Sequence, residues 1–232
     1  SSIYSPALMS AGNYTAIVTD SNGCTDVILV TMTEPTPISA SIAVQSNYGG
    51  YNIECNGGSN GAIIATVSGG VQFPSPNFYT YLWTDVNGSS LGTTVDISSL
   101  SAGTYAVSGT DFNSCPYTAT ITITDPPAID FTFVASDYNG YNIACNPDAI
   151  GGTLTGSVSG GANGVDMSTY IWNTLSITST ISSLPAATYT LNVSDNNGCV
   201  FDSSFIITQP DPIILITSTT PTLCFETQDG TA

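Results

Sequence analysis

The chain of 232 residues carries no Lys, no Arg and no His against 17 Asp plus Glu, for a formal net charge of -17, while 41% of it is hydrophobic. That apolar content suffices for one large or two ordinary cores, but the surface offers no cation to neutralise nucleic-acid phosphates or an anionic membrane. His-based triads, lysine Schiff bases and arginine clamps on phosphate are equally ruled out, so the composition argues against an enzyme, with paired-carboxylate glycosidase chemistry as the main exception.

Residues 1–37 read as the back end of a repeat. Tyr14 follows a small-residue corner at Ala11 and Gly12, a strand runs on to a turn at Asp20–Gly23, and a second strand from Thr25 to Thr33 carries Val27, Leu29 and Met32. Pro35 and Pro37 then end the ladder, because proline has no N–H to donate.

The stretch 38–127 reads as a complete repeat. Ile38, Ala40, Ile42 and Val44 alternate with polar residues as in a half-buried strand, and a turn at Asn47–Gly50 precedes Tyr51–Cys55. Ala62–Val67 reads as a buried strand, and a loop with two prolines then leads to a strand over Phe78–Trp83. A turn near Asn87 and Gly88 precedes a strand with Val95 and Ile97, then the corner and strand at Tyr105 and Val107, then a last strand with Tyr117, Ala119, Ile121 and Ile123 on one face. About seven short strands in about 90 residues predict an antiparallel immunoglobulin-like β-sandwich.

The stretch 128–212 repeats that order, and 213–232 begins a further repeat. SSLSAGTYAVSGTDFNSC, ending at Cys115, has counterparts ending at Cys24 and Cys199, and Tyr14, Tyr105 and Tyr189 give a period of 91 and then 84 residues. The fold expected is therefore all-β: tandem sandwiches separated by short proline joints, stacked end to end as in other repeat proteins. Trp83 and Trp172, in mid-strand, are expected to fill the cores, and the three tyrosines to be tyrosine corners. No run of about 18 apolar residues is present to insert into a bilayer.

Acidic residues collect in turns and joints, and Asp111, Asp125, Asp130 and Asp195 are the candidates for a calcium site, because oxygen ligands suit that ion. No stretch matches the spaced carboxylates of an EF-hand, which favours solvated turn residues and no cofactor.

Taken together, CNGGSNG at Cys55, VSGG at Val67, YTYLW at Tyr79, SSLSAGTYAVSGTDFNSC at Ser98 and ITITDPP at Ile121 resemble the SprB repeat family of giant cell-surface adhesins from gliding bacteria of the Bacteroidetes. The resemblance implies type IX secretion, display on the outer membrane, and a rod-like stalk that supports adhesion to surfaces or polysaccharide during gliding, with neighbouring repeats of the same chain as partners. The alternative is a carbohydrate-binding or spacer segment of a secreted multidomain enzyme.

Cysteines fall at two positions per repeat, Cys55, Cys145 and Cys224 before the second strand and Cys24, Cys115 and Cys199 opening the last. In an extracellular setting this regularity points to disulfides. The simplest pairing is within a repeat, Cys55 with Cys115 and Cys145 with Cys199, leaving Cys24 and Cys224 to partners outside the segment. A regular immunoglobulin strand order places the two positions at opposite ends of a sandwich and would instead bring Cys55 to Cys199.

Overall fold

Every regular element among the described residues is a β-strand, as the alternating pattern requires. The computed structural model describes residues 8–146 and 151–220. It divides into one unit of residues 1–46 with 59–124 and a second of residues 47–58 with 125–232. That division departs from the repeat boundaries read in the sequence, because residues 47–58 belong with the second unit.

In the first unit, β1 (Gly12–Thr19) and β2 (Thr25–Met32) form an antiparallel hairpin registered from Gly12 opposite Met32 to Thr19 opposite Thr25. Seven strands follow: β3 (Ser39–Val44), β4 (Gly61–Ser68), β5 (Leu82–Asp85), β6 (Ser90–Gly92), β7 (Asp96–Leu100), β8 (Gly103–Thr110) and β9 (Pro116–Ile123). They pair antiparallel as β3-β4-β7 and β6-β5-β8-β9. This is the immunoglobulin strand order, with the first, second and fifth strands in one sheet and the remainder in the other.

The second unit holds β10 (Asp130–Ala135), β11 (Gly152–Ser159), β12 (Val165–Trp172), β13 (Thr180–Leu184), β14 (Ala187–Asp195) and β15 (Val200–Ile207). Its sheets run β10-β11-β13 and β12-β14-β15, the same order with one strand fewer. The chain therefore contains two immunoglobulin-like β-sandwiches in sequence, and residues 213–220 add no strand.

The two mid-strand tryptophans are buried as expected, whereas Val27, Leu29 and Met32 of β2 stand exposed. Trp83 and Trp172 are 0% and 1% exposed, and each indole N–H donates to a backbone carbonyl, Trp83 to Thr94 at 2.9 Å and Trp172 to Thr178 at 2.9 Å. Around Trp172 the core comprises Ile143, Leu154, Tyr170, Leu191, Val193 and Ile207, with Phe133 stacked obliquely at a centroid distance of 5.9 Å. The three tyrosine corners are formed: the hydroxyls of Tyr14, Tyr105 and Tyr189 donate to the carbonyls of Ser10, Ser101 and Pro185 at 2.7, 2.8 and 3.0 Å.

One predicted strand is shorter than its pattern. The YTYLW run enters the sheet only at Leu82, because the Tyr117 hydroxyl takes the Thr80 carbonyl and the Tyr79 hydroxyl reaches the Gly69 carbonyl at 2.8 Å. These side-chain bonds turn Phe78–Tyr81 into an anchored loop. A core aromatic leaves a large cavity when truncated, so Trp83→Ala should lower stability by about 3–5 kcal/mol. Tyr105→Phe, which removes only the corner bond, should lower it by about 1 kcal/mol. Urea midpoints of the two variants test that ranking.

Candidate functional site

The sequence D-x-x-[GS]-C closes the last hairpin of each repeat, and its aspartate builds the turn. Asp195 is 2% exposed; one carboxylate oxygen accepts the amides of Asn197 and Cys199, each at 3.0 Å, and the other accepts the Ala162 amide at 2.9 Å. Asp111 is 1% exposed and accepts the amides of Cys115 and Val71, each at 2.8 Å. Asp20 does the same locally, accepting from Asn22 and Cys24 at 2.9 and 2.8 Å. In a chain without cations, backbone N–H groups are what satisfy a buried carboxylate.

The VSGG motif is the counterpart of that aspartate. A Cβ on Gly69 would meet the Pro37 carbonyl oxygen at 2.1 Å, and one on Gly70 would meet the Asp111 carboxylate at 2.5 Å. Both glycines have positive φ, so the motif needs glycine for space and for conformation. The hydrogen bond from the Val71 amide, reinforced by those of Cys115 and Asn113, holds Asp111 below the usual carboxylate range against the opposing effect of desolvation. Burial, followed by the adjacent Asp111, raises the Cys115 thiol.

The four calcium candidates are not brought together. Asp111 and Asp195 cap separate turns; Asp125 accepts the Gly57 amide at 2.9 Å and the Asn56 side-chain amide at 3.4 Å; Asp130 stands exposed at the start of β10. Among the described residues no group of three or more His, Cys, Asp or Glu is arranged to hold a metal ion. Asp111, Asp125 and Asp195 serve backbone amides.

The most developed site lies in the second unit, where residues 47–58 dock. Within this segment Asn47 accepts the Gly50 amide at 3.0 Å and Tyr48 pairs with Tyr51 in a one-rung bridge. Ile53 is fully buried. Asparagines and Asp125 make the polar contacts. Asn197 donates to the carbonyls of Glu54 at 2.9 Å and Tyr48 at 3.3 Å, Asn163 donates to Gly49 at 2.9 Å, and Asn56 donates to Pro126 at 2.8 Å. The fit is close, since a Cβ on Gly49 would meet the Asn163 amide nitrogen at 2.3 Å.

A disulfide between Cys55 and Cys199, with Cα atoms 5.7 Å apart, locks the segment in place. The pairing within a repeat, Cys55 with Cys115 and Cys145 with Cys199, is therefore corrected. Its obstacle is register. Gly152 pairs with Leu184, so the corner before β14 lies at the end of the sandwich where the Cys145 connection enters β11. The nine residues of β14 then carry the chain to the other end before Cys199, a span of about 30 Å at roughly 3.3 Å per residue against the 7 Å or less that a bridge tolerates. Gly61 opposite Leu100, followed by β8, separates the same positions in the first repeat. Cys24, Cys115 and Cys145 are free and exposed, and Cys224 lies outside the described residues.

The sequence reading missed the docking asparagines. Their signal was the recurrence of Asn directly after Cys55 and Cys145, and two residues before Cys24, Cys115 and Cys199.

A second feature lies in the first unit. An open groove of ≈ 860 Å³ runs between Pro76–Tyr81 and Thr93–Asp96. Phe78 is 48% exposed at its rim, Tyr81 is half-buried, and Asp96 supplies a carboxylate.

Residues 51–88 match the SprB repeat. The match supports membership of the SprB-repeat family. It covers most of the docking segment, β4 and β5, and a SprB repeat points to a segment of a large adhesin-like protein of the surface-displayed kind. Among curated proteins no sequence matches. Solved structures similar to the chain include three N-terminal domains of the highly immunogenic outer capsid protein of bacteriophage RB49, at 17% identity and a TM-score of 0.39 over 74% of this chain and 59% of that one. Another is a complex of Dpr2 Ig1-Ig2 with DIP-Theta Ig1-Ig3, at 10% identity and a TM-score of 0.29 over 86% of this chain and 72% of that one.

Peptide mapping of the unreduced chain with a non-tryptic protease should recover Cys55 linked to Cys199. Removing the bridge (Cys55→Ser with Cys199→Ser), which frees a loop with a sequence separation of 144, should lower stability by up to about 5 kcal/mol in the chain-entropy picture. Asp111 gives a pH test. Its pKa is lower folded than unfolded, so the stability it contributes is complete above the ordinary carboxylate range and is lost as pH falls through the lowered value. Asp111→Asn should therefore be less stable at neutral pH and lose less on acidification than the parent, as read from urea midpoints across the acid range.

Proposed function

We propose that the chain is a repeat segment of a large extracellular cell-surface adhesin. In this reading, secretion by the type IX route displays the protein on the outer membrane, and successive sandwiches form a rod-like stalk that supports surface or polysaccharide adhesion during gliding motility. The observation that carries the reading is the SprB match at residues 51–88. A disulfide favours an oxidising, extracellular setting, and the short proline joints favour a stalk over loosely linked beads. A net charge of -17 keeps neighbouring molecules apart and leaves neither nucleic acid nor direct membrane insertion as a partner. No chemistry is assigned to the segment itself.

The groove beside Phe78 favours carbohydrate as the adhesive ligand, because an exposed aromatic face backed by a carboxylate can stack a sugar ring and bond its hydroxyls. The same groove would serve a carbohydrate-binding segment of a secreted multidomain enzyme. The sequence surrounding this segment in its gene separates the two, since many further repeats favour the adhesin and a catalytic domain favours the enzyme. Antibodies raised against the segment should label intact cells that express it; labelling only after permeabilisation refutes surface display. In native gels cast with neutral polysaccharides, Phe78→Ala should remove any retardation that the parent chain shows.

A further inference from the structure

The two sandwiches share a framework around the groove beside Phe78 and differ in what they place on it. In the first, the Trp83 indole donates to the Thr94 carbonyl and the Thr94 hydroxyl donates to the Asp96 carbonyl at 2.6 Å, with Asp96 opposite Ile64 in the ladder. In the second, Trp172 donates to Thr178 and the Thr178 hydroxyl donates to the Thr180 carbonyl at 2.7 Å, with Thr180 opposite Thr155. Asp96 and Thr180 therefore hold the same position. Counting back from the tryptophans puts Phe78 at the position of Met167. The fold thus forms with neither an aromatic ring nor a carboxylate at these two places.

The two residues are also unoccupied within the first sandwich. Thr180 shares a hydrogen bond with the Thr155 hydroxyl across the ladder at 2.9 Å, whereas Ile64 offers Asp96 nothing. Among the described residues no donor bonds the exposed Asp96 carboxylate, in contrast to the amide-bonded Asp111 and Asp195. Phe78 stands on a braced loop: the Phe73 amide donates to the Phe78 carbonyl at 2.9 Å, and the Thr80 amide donates to the Thr110 carbonyl at 3.1 Å. A ring held this way loses little conformational freedom when a ligand covers it.

We propose that the groove takes a polysaccharide bearing protonated amino groups, of the glucosamine-polymer class, an assignment that rests on the carbohydrate reading above. Phe78 covers the apolar face of a sugar ring, and Asp96 accepts a charge-assisted hydrogen bond from the ammonium group of the bound sugar. Charge selects this class. With no Lys, Arg or His in the chain, a uronic-acid or sulfated polymer has no cation to meet and is repelled by a net charge of -17. A neutral polymer supplies hydroxyl donors but no charge opposite the carboxylate.

Calorimetric titration of the full chain with a glucosamine hexamer and with its fully N-acetylated counterpart, at one moderate salt concentration, tests the assignment. The parent should bind the glucosamine hexamer about fivefold more tightly, the upper range for a solvent-exposed ion pair. Asp96→Asn should remove that preference and leave the affinity for the acetylated hexamer unchanged, while Phe78→Ala should weaken both by about fivefold. Asp202→Asn, which removes one exposed carboxylate from β15, controls for diffuse attraction to an acidic chain and should keep the preference. Unchanged urea midpoints show that the variants are folded. Equal binding of the two hexamers by the parent, or equal losses in Asp96→Asn and Asp202→Asn, overturns the amine assignment and leaves the carbohydrate reading standing. Binding of neither hexamer overturns the assignment too, and binding undiminished by Phe78→Ala overturns the carbohydrate reading of the groove with it.

Discussion

A sandwich in immunoglobulin strand order holds the first connection and the last hairpin at opposite ends, and the use of cysteine in this protein follows from that constraint. The ladder from Gly152 opposite Leu184 and the length of β14 separate Cys145 from Cys199 by far more than a disulfide can reach. Each cysteine is therefore out of reach of its counterpart in the same repeat, and Cys55 is joined to Cys199 instead. The buried aspartates Asp111 and Asp195 fix the amides of Cys115 and Cys199 in their turns.

The absence of Lys, Arg and His shapes the rest. Buried carboxylates are bonded by backbone amides, and residues 47–58 are held by Asn side chains donating to carbonyls and by the Asp125 carboxylate accepting the Gly57 amide. The asparagine contacts are neutral, so salt screens them little, whereas ion pairs on an exposed surface fade with ionic strength. Among the described residues, no buried side-chain nitrogen or oxygen lacks a hydrogen-bond partner. The cation-free surface therefore carries no hidden cost in the interior.

Period and alternation made the strands, the two tryptophans and the tyrosine corners legible, because each depends on neighbours a few residues away. The features that were not legible, the docking asparagines among them, depend on contacts distant in sequence. The YTYLW run looked like one strand because its alternation is sound, but Tyr117 and Gly69 bond to it from elsewhere and hold back its first half. The acidic turns read as solvated, with calcium as the rival, because composition does not show which way a carboxylate faces. The cysteine positions were visible, but their pairing turns on which end of a sandwich each occupies, and that is set by the ladder from Gly61 to Leu100 and the run of β8 beyond it.

The Cys55–Cys199 bridge also changes how the chain bears load. Tension applied at the two ends crosses from residue 55 to residue 199 through two sulfur atoms, and the residues between, a separation of 144, lie off the covalent path. Strands β4 to β14 fall wholly inside that span, so a pull cannot draw them out while the bridge is intact. Among the described strands, only β1 to β3 and β15 lie on the loaded line. The bridge converts most of two folded repeats into slack that force cannot reach, and the length the chain can gain under strain is set by what lies outside it.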